Sequence, residues 1–384
     1  MKKIQKLLLL AAVSLIPTIF IWISFFVRVK SIWEIPLPQA GMATIVSNYD
    51  GPIYLVIAKS LYNQEFIKWN FQFPLPIEYY AAHFPLFPAL IRVFSVFIGF
   101  PYAMLFVTVT ASVLATYFFY KFIRQYQNEA NSLFLTLVFS VFPARWLIVK
   151  SVGSAEPLLI AGVIASIYYF QNKKYLLAGL WGALAQLAKP PGILLFVAYF
   201  LAILVPAIKI ALTTNKNILK MLEVKKYWPI LFIPLSLVLV FSLFGIQLKD
   251  FWAYFHSGDN VHLMFPPFSI FNYSAPWVGT FWLEEVIFIY LLGILGVLKL
   301  IKEKDSVVSW FTGIFILSIL FVAHRDILRY ALPAVPFIIK AYANTLVTKE
   351  FKIAFAVIII PIFLFSLAYI SQNIMPISNW APFL

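Results

Sequence analysis

The sequence predicts an all-α, polytopic membrane protein, and three observations carry that expectation. Of its 384 residues, 62% are hydrophobic and only 11% are charged, with a mean hydropathy of +0.91. Apolar runs of about twenty residues recur along the chain, the length a helix needs to cross the hydrocarbon core of a bilayer. These runs are apolar on all sides, whereas the strands of a membrane barrel alternate apolar and polar residues. Backbone groups in lipid must be satisfied internally, so helices are what remains. Cysteine is absent, which excludes a disulfide framework and thiol chemistry.

About eleven spans are expected, roughly at 7–27, 101–120, 131–148, 155–170, 175–188, 191–211, 227–246, 285–301, 307–323, 330–346 and 351–370. The opening MKKIQK and the apolar stretch after it exceed a signal-peptide core, and no small-x-small cleavage site follows. A retained anchor starting on the cytoplasmic side is expected. The net charge of +14 comes from lysines spaced between spans rather than gathered in one patch. That pattern reads as a topology signal with contact to anionic membrane lipids, and no nucleic acid is expected as a partner.

Segment 84–99 decides the topology. If it does not cross, the groups Lys2, Lys3, Lys6; Lys121, Arg124; Lys173, Lys174; Lys209, Lys216, Lys220, Lys225, Lys226; Lys299, Lys302, Lys304; and Lys349, Lys352 all lie inside. The positive-inside rule favours this arrangement. It places the N-terminus in the cytoplasm and the C-terminus outside, in a plasma membrane. Residues 28–100 then form a long first external loop carrying juxtamembrane helices, with 84–99 on or dipping into the membrane. A second external loop covers 247–284. No internal repeat or linker divides the chain, so 1–384 reads as one integral-membrane domain.

The unusual polar residues gather on the external face. Asp50, in NYDGPIYLVIAK, is one of only 15 acidic residues. With an ordinary carboxylate pKa of about 3.9 it is ionised and placed to accept a hydroxyl proton; the plain alternative is an Asp–Gly turn. Lys189, Arg329 and Arg145 suit a phosphate group, since a guanidinium pairs with it bidentately, or else they anchor at headgroups. Glu156 either favours a helix N-terminus or binds sugar hydroxyls. His83, in HFPLFPALIR, reads as a further polar or catalytic contact of the first loop. His256 and His262 flank Asp259, but a spacing of six suits no helical face, and neither a metal nor another cofactor is expected. DxD, P-loop, HExxH and GxSxG motifs are all absent. Lys340, inside the tenth span, has no evident partner in the sequence.

Taken in order, these residues resemble the integral-membrane glycosyltransferases of the GT-C fold, and among them the second mannosyltransferase of glycosylphosphatidylinositol-anchor assembly and its prokaryotic relatives. Tyr49-Asp50-Gly51 and Tyr54 to Ala58 are similar to that family's WDG..Y..IA pattern. Phe84-Pro85-Leu86-Phe87-Pro88 with Arg92 resembles its FFPLYP stretch, and Ser154-Ala155-Glu156 its Ser-x-Glu. Lys189-Pro190-Pro191-Gly192 stands where the family has R-P-x-G. Arg329 and Tyr330 with Pro333 and Pro336 match a late Arg-Tyr followed by prolines. Tyr49 in place of Trp and Lys189 in place of Arg are departures.

The resemblance implies an inverting transfer of a sugar, the family's usual one being mannose, from a polyprenyl-phosphate donor to a lipid or glycan acceptor on the non-cytoplasmic face. It implies that Asp50 is the base, that Lys189, Arg329 and Arg145 hold the donor phosphate, and that Glu156, His83, Tyr49 and Tyr330 bind sugar or acceptor. A lipid or solute transporter is the alternative; it would need broken helices and midplane charges. An assembly subunit would need no converging Asp, Lys and Arg.

Overall fold

A computed structural model describes the chain apart from residues 1–2, 72–75, 215–221, 259–261 and 273–282. It is a helical bundle, and among the described residues five helices are long and apolar enough to cross a membrane: Ile4–Phe26, Phe100–Ile123, Pro190–Thr214, Val224–Gln247 and Lys349–Gln372. Shorter apolar helices lie at Leu86–Ile98, Glu129–Val141, Glu156–Gln171, Tyr175–Ala188 and Ser306–Ile319. A further helix, Leu283–Lys302, carries Glu284 and Glu285 in its first turn and Lys299 and Lys302 in its last, each complementing the helix dipole.

Helix Glu156–Gln171 forms the centre of the bundle. It is apolar all round and buried along most of its length, as a helix without a wet face must be. Its Ala161, Gly162 and Ala165 leave room for helix Tyr175–Ala188 to approach closely, the small-residue contact common between membrane helices. Helix Phe100–Ile123 packs on its other side. The hydroxyls of Thr108, Ser112 and Thr116 are spent on backbone carbonyls four residues earlier, which makes this run tolerable inside the bundle.

Segment 28–100 carries a run of short elements. A two-residue hairpin pairs Ser31–Ile32 with Ile35–Pro36, and its turn residues Trp33 and Glu34 both have positive φ. Helices Met42–Val46, Gly51–Ser60, Gln64–Asn70 and Leu86–Ile98 follow. Arg92 donates to the Ala58 and Lys59 carbonyls, so the last helix caps the C-terminus of Gly51–Ser60. Gly51 is required: a Cβ there would lie 2.3 Å from the Val46 carbonyl oxygen.

Two spans read as continuous in the sequence are broken. The 131–148 stretch divides at Phe142-Pro143 into Glu129–Val141 and Ala144–Val149, because a proline lacks the N–H that would continue the helix. The 330–346 stretch becomes Ile327–Ala331, a turn at Leu332–Ala334, Val335–Ala341 and Ala343–Leu346, interrupted by Pro333. Lys340 gains the partners the sequence did not show. It reaches Glu303 at 2.5 Å and Asp305 at 3.4 Å, and lies over the Tyr126 ring.

Between helix Tyr175–Ala188 and the turn Pro190–Ile193, Gly192 sits against the Gln186 backbone, where a Cβ would meet Cα at 2.5 Å. The expected outcome of Gly192→Ala is a loss of about 1–3 kcal/mol, as for overpacking of a close-packed site. It would be measured as a lower thermal unfolding midpoint in detergent; an unchanged midpoint contradicts this packing.

Candidate active site

Four breaks in helical structure bring the site together, and each holds a charged side chain. Asp50 precedes helix Gly51–Ser60 without capping it through its side chain. Glu156 is the first residue of the central helix and is 3% exposed. Lys189 has extended backbone at the end of Tyr175–Ala188, as expected of a residue before proline. Arg329 lies in the short helix Ile327–Ala331.

These groups form one connected network. Arg329 Nη2 donates to Asp50 Oδ2 at 2.9 Å, and its Nε donates to Glu156 Oε1 at 2.6 Å. Lys189 Nζ reaches the same Glu156 oxygen at 2.5 Å, while the Ser154 hydroxyl donates to the other oxygen. His83 Nε2 stands 3.8 Å from Asp50 Oδ1. The His83 ring is held edge-on against Tyr54 and near Tyr79, and Tyr62 donates to its backbone carbonyl.

The electrostatics favour an ionised Asp50. Burial, the largest influence, pushes its pKa up, but the Arg329 guanidinium, His83 and Lys189 outweigh it and hold the carboxyl well below the usual range. On the facing loop, burial together with His262, Arg329 and Arg325 lowers His324 to about 4, so it is neutral at physiological pH.

Asp50, Arg329 and His324 form a partition between two cavities. One, of about 200 Å³, is lined among others by His83, Glu156, Lys189, His262 and Tyr330. The other, of about 710 Å³, is lined by Tyr49, Arg145, Glu285, Arg325, Asp326 and Tyr369 among others. The structure therefore brings Asp50, His83, Glu156, Lys189, Arg329 and Tyr330 together in the first cavity and places Arg145 in the second.

Tyr49 separates the two arginines. Arg329 lies 4.1 Å from its ring centroid, while its hydroxyl accepts from Arg145 Nη1 at 3.2 Å. Tyr49 holds a positive φ of 49°, an uncommon conformation for a bulky residue and one that gathers at functional sites. Arg145 pairs with Asp326 at 2.8 Å and stacks on Tyr369.

Tyr54, Tyr79, His262, His324 and Asp326 also line these cavities; the sequence assigns them no role, although Tyr54 belongs to the motif after Asp50 and His324 and Asp326 lie in the external segment that holds Arg329. His262 was weighed only as part of a metal pair with His256. The two histidines diverge: His256 binds Asp250 at 2.5 Å, whereas His262 packs on His324 with ring centroids 4.3 Å apart. A bridge between Leu263 and Val322 brings its loop over the cavity. Asp259 lies outside the described residues, and among those described no group of His, Asp and Glu has metal-binding geometry. Lys150 turns away from the site and donates to the Ser14 carbonyl.

Neither a family model nor a curated protein matches the sequence. Solved structures do match. One is ArnT from Cupriavidus metallidurans bound to undecaprenyl phosphate, with a TM-score of 0.56 at 12% identity over 94% of this chain and 74% of that one. The fold is that of the GT-C membrane glycosyltransferases. The archaeal oligosaccharyltransferase AglB from Archaeoglobus fulgidus, in complex with an inhibitory peptide and a dolichol-phosphate, gives 0.50 at 13% identity, over 96% of this chain. Its apo form gives 0.53 at 12%. The chain spans 56% of the length of the former AglB structure.

Because the folded-state pKa of Asp50 is depressed, its ionic contribution to stability is present above the unfolded value of about 3.9 and is lost as pH falls through the lower folded value. The difference in thermal midpoint between the native chain and Asp50→Asn is therefore expected to stay constant from pH 8 to 5 and to shrink only in more acid solution. A difference that titrates near neutrality contradicts the assignment.

Proposed function

We propose that the chain is an inverting glycosyltransferase that takes a sugar from a polyprenyl-phosphate donor, mannose being the sugar its motifs favour, and works on the non-cytoplasmic membrane face. The observation that carries this reading is the Arg329 fork. One guanidinium binds Asp50 and Glu156 together, and Lys189 binds the same Glu156 oxygen. Two cations converging on one oxygen offer a phosphate oxygen the same reception, with the base carboxylate 2.9 Å from the fork. The bound lipid phosphates of ArnT and AglB agree with such a donor, and the motif resemblance adds the inverting outcome.

In this reading the donor phosphate enters the Lys189 cavity and takes over the two cations from Glu156 and Asp50. The acceptor hydroxyl approaches from the Arg145 cavity, across the partition. Asp50 removes its proton as the oxygen attacks the anomeric carbon, and the carbon–phosphate oxygen bond breaks on the opposite side. The leaving phosphate keeps the bonding electron pair, and Arg329 and Lys189 stabilise its charge. Approach and departure from opposite sides is what inversion requires. Glu156, His83 and Tyr330 line the space for the sugar; Tyr49 and Arg145 line the acceptor side.

A depressed pKa makes Asp50 a weak base in the ligand-free state. The arriving phosphate removes its cationic partner and adds a like charge beside it, and both changes raise the carboxyl pKa. The base is thereby strengthened when there is a donor to attack.

The test is transfer by purified protein with a radiolabelled polyprenyl-phosphate mannose donor and membrane lipid extract as acceptor. Asp50→Asn is expected to lower kcat about 10³-fold, within the range for loss of a general base, and Lys189→Ala to raise the donor KM more than it lowers kcat. Full activity of Asp50→Asn would overturn the proposal.

A further inference from the structure

We propose that His324 reads the donor sugar, donating from Nε2 to the hydroxyl on the carbon next to the anomeric centre; this rests on the glycosyltransferase reading above. Proton transfer and phosphate binding are carried by Asp50, Arg329 and Lys189 and leave this histidine unused. Yet among the described residues only Asp50, Arg329 and His324 line both cavities. Asp50 and Arg329 are bonded to each other there, so His324 is the uncharged member of the partition.

The geometry assigns its tautomer. His324 Nδ1 accepts the Asp326 backbone N–H at 3.0 Å. A backbone N–H can only donate, so Nδ1 carries a lone pair and the ring proton sits on Nε2. The Asp326 carboxylate is in turn bound by Arg145 at 2.8 Å, which holds that N–H in place. Burial, then His262, Arg329 and Arg325, oppose a second proton on the ring.

Nε2 is therefore a neutral donor, and it has no hydrogen-bond partner among the described residues. It is not enclosed either: His83 Nδ1 is a buried, unsatisfied ring nitrogen, whereas His324 Nε2 borders open cavity. The ring itself is held. It lies on His262 with centroids 4.3 Å apart and meets Tyr330 edge-on at 5.3 Å. A phosphate oxygen would choose the cations Arg329 and Lys189, so a fixed neutral N–H is left for a hydroxyl oxygen.

The place of that N–H indicates which hydroxyl. With Asp50 beside the attacking oxygen, the anomeric carbon lies at the partition. The acceptor hydroxyl has Asp50 as its partner, and an N–H donated to the attacking oxygen would blunt its lone pair. The sugar ring oxygen loses electron density as the bond to phosphate breaks, so it becomes a poorer acceptor. The neighbouring hydroxyl keeps its lone pairs throughout. Held there by His324 and at the phosphate by two cations, the sugar cannot rotate its reacting face away from Asp50.

The experiment compares kcat/KM of the purified full chain on polyprenyl-phosphate mannose and on its 2-deoxy and 6-deoxy analogues, with membrane lipid extract as acceptor. His324→Phe keeps a ring against His262 and Tyr330 but removes the donor. It should lower the preference for mannose over the 2-deoxy analogue about tenfold, the size of one neutral hydrogen bond, and leave the preference over the 6-deoxy analogue unchanged. Each analogue's own reactivity cancels when variant and native chain are compared. His324→Gln, whose amide nitrogen stands near the Nε2 position, should recover most of the 2-deoxy preference.

An unchanged 2-deoxy preference in His324→Phe overturns the assignment, as does an equal fall for both analogues, which leaves the ring a packing role alone. Where a variant lacks measurable transfer, displacement of bound radiolabelled donor by each unlabelled analogue reads the same preferences and decides by the same criterion. Transfer by the native chain with His324→Phe unaltered in preference condemns His324 alone. Absence of transfer by the native chain on every donor condemns the glycosyltransferase reading and this assignment with it.

Discussion

The candidate site depends on a buried guanidinium that two carboxylates share. Arg329 is contributed by a short helix of a broken span, Asp50 by the first loop and Glu156 by the centre of the bundle. Taking such a charge out of water is costly, and the cost is met only when its donors find well-placed acceptors. Arg329 does so twice, through Nε and Nη2, and thereby joins segments 279 and 173 residues apart in the chain. Lys189 then shares Glu156 rather than bringing a counter-ion of its own. Removing Glu156 would leave two cations facing each other, so one carboxylate both supports the fold and keeps the fork open to an incoming anion.

The backbone around Asp50 is built to hold that carboxylate still. Tyr49 takes a left-handed conformation, and Gly51 is pressed against the Val46 carbonyl. Neither feature helps a helix begin, and the Asp50 side chain does not cap the one that follows. The strain is instead offset by contacts of the Tyr49 side chain, which lies under Arg329 and accepts from Arg145. A residue that looks like a neutral replacement for tryptophan is thus the spacer between two cations that would otherwise repel each other.

Much of the fold was legible because lipid allows few structures: apolar runs of spanning length mark helices, and most of the expected apolar segments coincide with observed helices to within a few residues. Breaks were harder to read. Pro143 and Pro333 lie inside apolar stretches that hydropathy alone continues, and it is at these breaks that Arg145 and Arg329 are presented. Charged site residues could be found from the sequence because ions are rare in this chain. Tyr79 could not, being one of 20 tyrosines and without a local mark. His262 and His324 are 62 residues apart and meet only through the Leu263–Val322 bridge, a pairing that no periodicity announces.

The two ends of the broken tenth span put buried cations to different uses. At one end Lys340 is answered by Glu303 and Asp305, which lie in one turn of chain near it in the fold, with the Tyr126 hydroxyl binding Asp305 as well. That cluster has more acid than base and lines neither of the two site cavities. It therefore behaves as a satisfied structural tie. At the other end Arg329, together with Lys189, pairs directly with two carboxylates beside a cavity, and one of these, Asp50, lines a second cavity as well. Equal numbers of opposite charges need no ligand to be stable, but the second cluster has space on both sides into which its partners can be exchanged. Space beside the charges, more than the charges themselves, is what separates a site from a tie here.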